Sequence, residues 1–90
     1  MSEPAITLYT SNFCGFCVAA KRLLDRHGIP YQEVDLSRDP SLRMDLVAQT
    51  GHRTVPIILL EGALVGGYNE LVELHRSGGL DRWTTDENKR

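Results

Sequence analysis

Ninety residues, 41% of them hydrophobic, suffice for one small core and not for two domains of ordinary size. Ten basic against twelve acidic side chains give a formal charge of -2, which offers no general attraction to nucleic acid or to anionic lipid. The start, MSEPAITLYT, has neither a basic leader nor a secretory apolar segment, and the longest apolar run, Ile57 to Leu60, is far short of a membrane span, so a soluble, cytoplasmic protein is expected.

In chain order, Ile6 to Thr10 is rich in β-branched and aromatic residues without a helix-period stripe and reads as a strand. From Cys17 the positions Ala20, Leu23 and Leu24 recur at helical spacing, and Gly28 and Pro30 supply the stop. Tyr31 to Leu36 reads as a second strand, and a strand, helix and strand in that order make the parallel crossover unit of α/β folds. A second helix follows, with Asp39 as cap, Pro40 at its first position, Leu42, Leu46 and Val47 on its inner face and Gly51 at its end. VPIILL has no polar alternation, as expected of a central strand covered on both faces. Glu61 and Gly62 then suit a tight hairpin leading to Ala63–Val65. Asn69 is the candidate cap of a third helix carrying Leu71, Val72 and Leu74, which Gly78 and Gly79 close. The tail DRWTTDENKR is polar apart from Trp83, so its beginning should pack and its end should fray. The sum is one α/β domain over 1–90, in the order β-α-β-α-β-β-α: a mixed sheet of four strands flanked by three helices, with its core from about residue 5 to about residue 80.

The chain has two cysteines, Cys14 and Cys17, placed where the first helix begins. Two cysteines cannot build the multi-bridge framework of small secreted domains, and in a reducing compartment such a pair does redox chemistry or binds metal. Attack on a disulfide needs a thiolate, whereas a free cysteine, with a pKa of about 8.5, is mostly protonated at neutral pH. Cys14 lies just ahead of the first helical turn, where unpaired backbone N–H groups, those of Phe16 and Cys17, and the helix dipole favour negative charge; it is the expected nucleophile. Cys17 falls one turn along the same face, more buried, and is the natural resolving thiol. Gly15 permits a close bend between them, and Phe16 offers an aromatic shield. A zinc site would have to draw on His27, His52 and His75, which show no paired ligand spacing. His27 and His75 read instead as helix C-terminal residues.

YTSNFCGFC, RTVP and GGYNEL together resemble the three signature regions of the glutaredoxins, in order and at suitable intervals, specifically the short bacterial dithiol type. The resemblance runs from about Ile6 to about Leu80 and implies a thioredoxin-like fold. Phe13 and Phe16 stand where the thioredoxin motif W-C-G-P-C has tryptophan and proline, and both are expected to flank and shield the thiols. The resemblance implies a cis proline at Pro56, with Thr54 and Val55 offering backbone to the cysteinyl part of glutathione. It implies that Gly67, Tyr68 and Asn69 present helix-start N–H groups to the γ-glutamyl carboxylate, with Glu70, usually aspartate in such families, facing the γ-glutamyl ammonium. Arg53, with Gln49 or His52 close by, is expected to hold the glycyl carboxylate.

The implied activity is glutathione-dependent thiol–disulfide exchange on glutathionylated or disulfide-bonded proteins, by a monomer that uses glutathione as co-substrate and no resident metal. Two departures stand out. Ser11 takes the place of a lysine common among relatives, with Lys21 or Arg22 as partial compensation. Gly15 replaces the commonest proline, as in those glutaredoxins that hold a [2Fe-2S] cluster between two subunits, for which Cys14 would be the ligand. A dedicated donor to a reductase such as ribonucleotide reductase is a third reading.

Overall fold

A computed structural model describes residues 4–84. The expected fraying of the tail falls on residues 85–90 and lies outside the described residues. The elements are β1 (Ile6–Thr10), α1 (Gly15–Arg26), β2 (Tyr31–Asp35), α2 (Pro40–Thr50), β3 (Ile57–Leu60), β4 (Ala63–Gly66) and α3 (Tyr68–Arg76), followed by a single 3-10 turn at Asp81–Trp83. The strand order is β2-β1-β3-β4, with β1 and β2 parallel and the other two pairs antiparallel. The expected order of elements and the mixed sheet are both present.

Burial on the two faces of this sheet explains the sequence patterns. One cluster joins Ile6 and Leu8 of β1, Ala20 and Leu24 of α1, Ile58 of β3 and Leu71 of α3. The other joins Ile57 of β3 and Leu46 of α2 with Leu36, and Tyr9, Val34 and Leu42 pack on it. Adjacent strand residues point to opposite faces, so Ile57 and Ile58, both 0% exposed, enter different cores. That is why VPIILL has no polar alternation. The strand itself begins only at Ile57, because proline has no N–H to give to a ladder. β2 likewise stops one residue short of Leu36, whose N–H donates to Thr10 O at 2.7 Å while its side chain turns into the second core.

Helix ends follow local chemistry. Asp39 Oδ1 accepts the Leu42 N–H at 3.0 Å, Pro40 takes the first position and Gly51 closes α2 in the left-handed region, as the sequence predicts. α1 starts at Gly15, ahead of the first apolar-periodic residue, with Cys14 as its N-cap. The start of α3 corrects an expectation: the cap is Gly67 and not Asn69, which lies inside the first turn. Gly67 has no side chain to cap with, so Glu70 reaches back and its Oε1 accepts the Gly67 N–H at 2.8 Å. Crowding selects glycine before it: at Gly66, with φ of 125°, a Cβ would stand 2.8 Å from Glu70 Cγ. In the β3–β4 hairpin Glu61 and Gly62 have φ of 51° and 84°, positive at both central positions as in the hairpin-favouring mirror-image turn. Trp83 packs on the first core, with the Arg82 guanidinium 4.9 Å from its ring centroid.

Truncating Leu24, fully buried in the first core, removes apolar contacts between α1 and the sheet and leaves a cavity. Leu24→Ala is expected to cost about 3 kcal/mol, read as a lower urea midpoint at unchanged slope. Met44→Ala, at a residue 71% exposed on α2, should stay within about 0.5 kcal/mol.

Candidate functional site

β1 ends at Thr10, and the chain turns through Phe13, whose φ of 58° is left-handed, before α1 begins. Cys14, at the N-cap with an extended backbone, presents its sulfur to the open end of the helix, where Sγ accepts the Cys17 N–H at 3.1 Å. Of the two amides expected there, that of Cys17 makes the bond. As a thiol, Cys14 also donates to the Val55 carbonyl oxygen at 3.6 Å. Both cysteines are free, Cys14 half-buried and Cys17 only 3% exposed. Burial, then the hydrogen bond with Cys14 and the charge of the Cys14 sulfur, push the Cys17 thiol up to about 12. The pair is therefore asymmetric: one accessible sulfur with an amide donor, and one buried sulfur held protonated.

Two grooves lie near Cys14, one of them reached through its contact with Val55. The first, about 270 Å³, is lined by Phe16, His52, Thr54, Val55, Pro56, Gly67, Tyr68, Asn69 and Glu70. The Val55–Pro56 bond is cis, as the resemblance implies. Seven of the residues singled out in RTVP and GGYNEL thus meet in one place, and the Phe16 ring stacks on Tyr68 at 5.9 Å between centroids. Glu70 keeps its carboxyl below the usual range through the amide bonds it accepts, that of Gly67 first, and through the nearby His52. Arg53 and Gln49 are exposed and outside this lining, whereas His52 is part of it. Phe13, on a left-handed backbone, has a fully exposed side chain and lines the second groove beside Cys14 and Cys17 rather than this one. Phe16, 62% exposed, flanks the groove instead.

The second groove, about 480 Å³, runs along Ser11, Asn12, Cys14, Gly15 and Val18 to Lys21, Glu33 and Asp35. Lys21, expected to compensate for Ser11, gives its charge to Glu33, at 3.2 Å, and Glu33 also accepts from Thr10 Oγ1 at 2.8 Å. No sequence signal announces that pairing, since Lys21 and Glu33 sit on different elements. A larger cleft, about 660 Å³, lies between the β3–β4 hairpin and α3 and touches neither cysteine. Among the described residues no group of three or more His, Cys, Asp or Glu could hold a metal ion. His27 and His75 face each other at the C-terminal ends of α1 and α3, with centroids 4.2 Å apart. For the iron–sulfur reading, each chain offers Cys14 as its accessible thiol. Among the described residues no helix is long and apolar enough to cross a membrane.

The family model described as Glutaredoxin matches residues 6–65. A glutaredoxin of Pseudomonas aeruginosa is 40% identical over 78 residues, covering 87% of this chain and 93% of the relative. Glutaredoxin 3 of Escherichia coli is 33% identical over 76 residues, covering 84% and 92%. Among solved structures, a buckwheat glutaredoxin–glutathione complex superposes with a TM-score of 0.82 at 31% identity over 90% of this chain and 76% of that one. Glutaredoxin from Brucella melitensis gives 0.77 at 35% identity over 94% of each. The three helices and four-stranded mixed sheet are those of this thioredoxin-like fold.

With its thiol raised to about 12, roughly one Cys17 in 10⁵ is ionised at neutral pH. Brief treatment of the reduced protein with iodoacetamide at neutral pH should modify Cys14 and leave Cys17 unlabelled until the protein is denatured. Peptide mass mapping reads this directly, and equal labelling of both cysteines in the folded protein would contradict the asymmetry.

Proposed function

The chain belongs to the glutaredoxin family, and from that membership we propose that it is a glutathione-dependent oxidoreductase that reduces protein–glutathione mixed disulfides and protein disulfides. Membership and the paired cysteines support thiol–disulfide exchange in general; the glutathione-specific reaction is our reading. The observation that carries it is the placement of Cys14 Sγ, 3.1 Å from the Cys17 amide and in contact with Val55 at the wall of the first groove.

In the proposed reaction the Cys14 thiolate attacks the glutathionyl sulfur of a mixed disulfide. The bond between that sulfur and the target's sulfur breaks, and the target leaves as a thiolate that takes up a proton. A second glutathione, as thiolate, then attacks the glutathionyl sulfur on Cys14, releasing Cys14 and forming glutathione disulfide, which a separate enzyme must reduce. The net change consumes one free glutathione, whose sulfur is oxidised in joining the glutathionyl sulfur as glutathione disulfide, while the target sulfur is returned to the thiol. With a protein disulfide, Cys17 displaces the target from Cys14 and closes an internal disulfide, which glutathione reduces in turn.

In this reading the parts of glutathione are divided among the groove's residues. The cysteinyl backbone pairs along Val55, and the γ-glutamyl carboxylate meets the N–H groups at the start of α3, where helix dipole and unpaired donors favour an anion. Glu70, ionised and adjacent, faces the γ-glutamyl ammonium with the oxygen not used by Gly67. Arg53, on the exposed loop beside the groove, reaches for the glycyl carboxylate. The buckwheat glutaredoxin solved with glutathione supports this choice of ligand. Working from a reduced glutathione pool is consistent with the reading of a cytoplasmic protein.

In an assay of a glutathionylated peptide coupled through glutathione and glutathione reductase, Cys17→Ser should keep turnover within about threefold, while Cys14→Ser should lose at least about a hundredfold. Equal loss in the two variants would reject the single-cysteine route.

A further inference from the structure

In the lining of the first groove, His52 is the one side chain able to carry a positive charge. The other cations near the thiols are placed elsewhere: Lys21 is paired with Glu33, Arg53 is exposed outside the lining, and position 11 is serine. The His52 ring is set against the start of α3. Its Nε2 lies 3.2 Å from where a Cβ on residue 67 would stand, so glycine there makes room for the imidazole. Nε2 is buried and has no hydrogen-bond partner, an exception that a native fold seldom leaves without a reason. The attachment is firm: the His52 N–H donates to Thr50 Oγ1 at 3.1 Å, and that hydroxyl donates to Leu46 O at 2.7 Å, tying His52 to the end of α2.

The groups around the ring are few. From α3 come the Glu70 carboxylate, which feels the imidazole, and the Tyr68 phenol; from the loop itself comes Arg53; α1 contributes only the Phe16 ring. No other group in the lining changes charge near neutrality, whereas imidazoles as a class do.

We propose that His52 is the proton-dependent carboxylate ligand of this groove: as imidazolium it holds the glutathione carboxylate that approaches the start of α3, and as neutral imidazole it lets that carboxylate go. The inference rests on the glutathione reading above. Glutathione carries two carboxylates and one ammonium, so it enters the groove with a net negative charge. The sign then follows: raising the pH removes the proton from His52, removes the attraction and weakens binding. This runs opposite to the chemistry at Cys14, where raising the pH increases the thiolate fraction of any thiol. Binding gains on the acid side and attack gains on the alkaline side.

Binding is isolated from the exchange chemistry by titrating S-methylglutathione, which has no free thiol, into the Cys14→Ser, Cys17→Ser double variant. Between about pH 5.5 and about pH 8.5 the Kd should rise about tenfold. Adding His52→Gln should hold Kd at the weak, alkaline value throughout, and adding His52→Arg should hold it at the tight, acid value. Saturable binding with a flat Kd in the His52 protein, or with the same slope after His52→Gln, would overturn this inference and leave the glutathione reading standing. Absence of saturable binding at every pH would overturn both.

Discussion

One hydrogen bond, from the Cys17 amide to the sulfur of Cys14 at 3.1 Å, sets the character of the whole site. It exists because a helix begins at that point, and a helix leaves its first amides without internal partners. A sulfur at the cap meets one of those amides and the positive end of the helix dipole together. The helix in turn is held by Ala20 and Leu24, both fully buried against β1, β3 and α3. The Cys14 sulfur thus sits at the end of a helix anchored by fully buried side chains.

The sheet topology gathers the rest. β1 runs toward the thiols, and β3 is antiparallel to it, with Ile57 beside Tyr9, so the loop entering β3 lies where β1 ends. β4 is antiparallel to β3, with Gly66 beside Ile58, so the loop leaving β4 returns to that same end. Three stretches far apart in sequence, around Cys14, Val55 and Tyr68, are thereby brought to one rim. Reversing any one of these strands would carry its loop to the opposite edge. The mixed sheet is thus the reason that a backbone wall, a helix start and a sulfur lie at one rim.

Much of this was legible in the chain itself. The β-branched and aromatic content of ITLYT, the apolar run of IILL and the caps at Asp39 and Gly51 each encode their environment locally, because backbone geometry and burial act within a few residues. What escaped was decided between elements. The Lys21–Glu33 pair depends on how α1 lies over β2, and neither sequence neighbourhood shows it. Asn69 is a better cap by propensity than Gly67, yet the helix starts at Gly67, where Glu70 and His52 approach residues 66 and 67 closely. Phe13 was read from its position in the motif, and only the structure shows its left-handed backbone and full exposure beside Cys14. His52, a minor candidate in the sequence, gains its place from the packing of one loop against α3.

The buried thiol of Cys17 is kept from ionising by three causes, and two of them, the hydrogen bond and the charge, come from the sulfur of Cys14. Once that sulfur is joined to a partner it no longer bears the charge, and the restraint on its neighbour loosens. The ionisation of the second sulfur is thus linked to the state of the first, while burial, the largest of the three causes, stays in place.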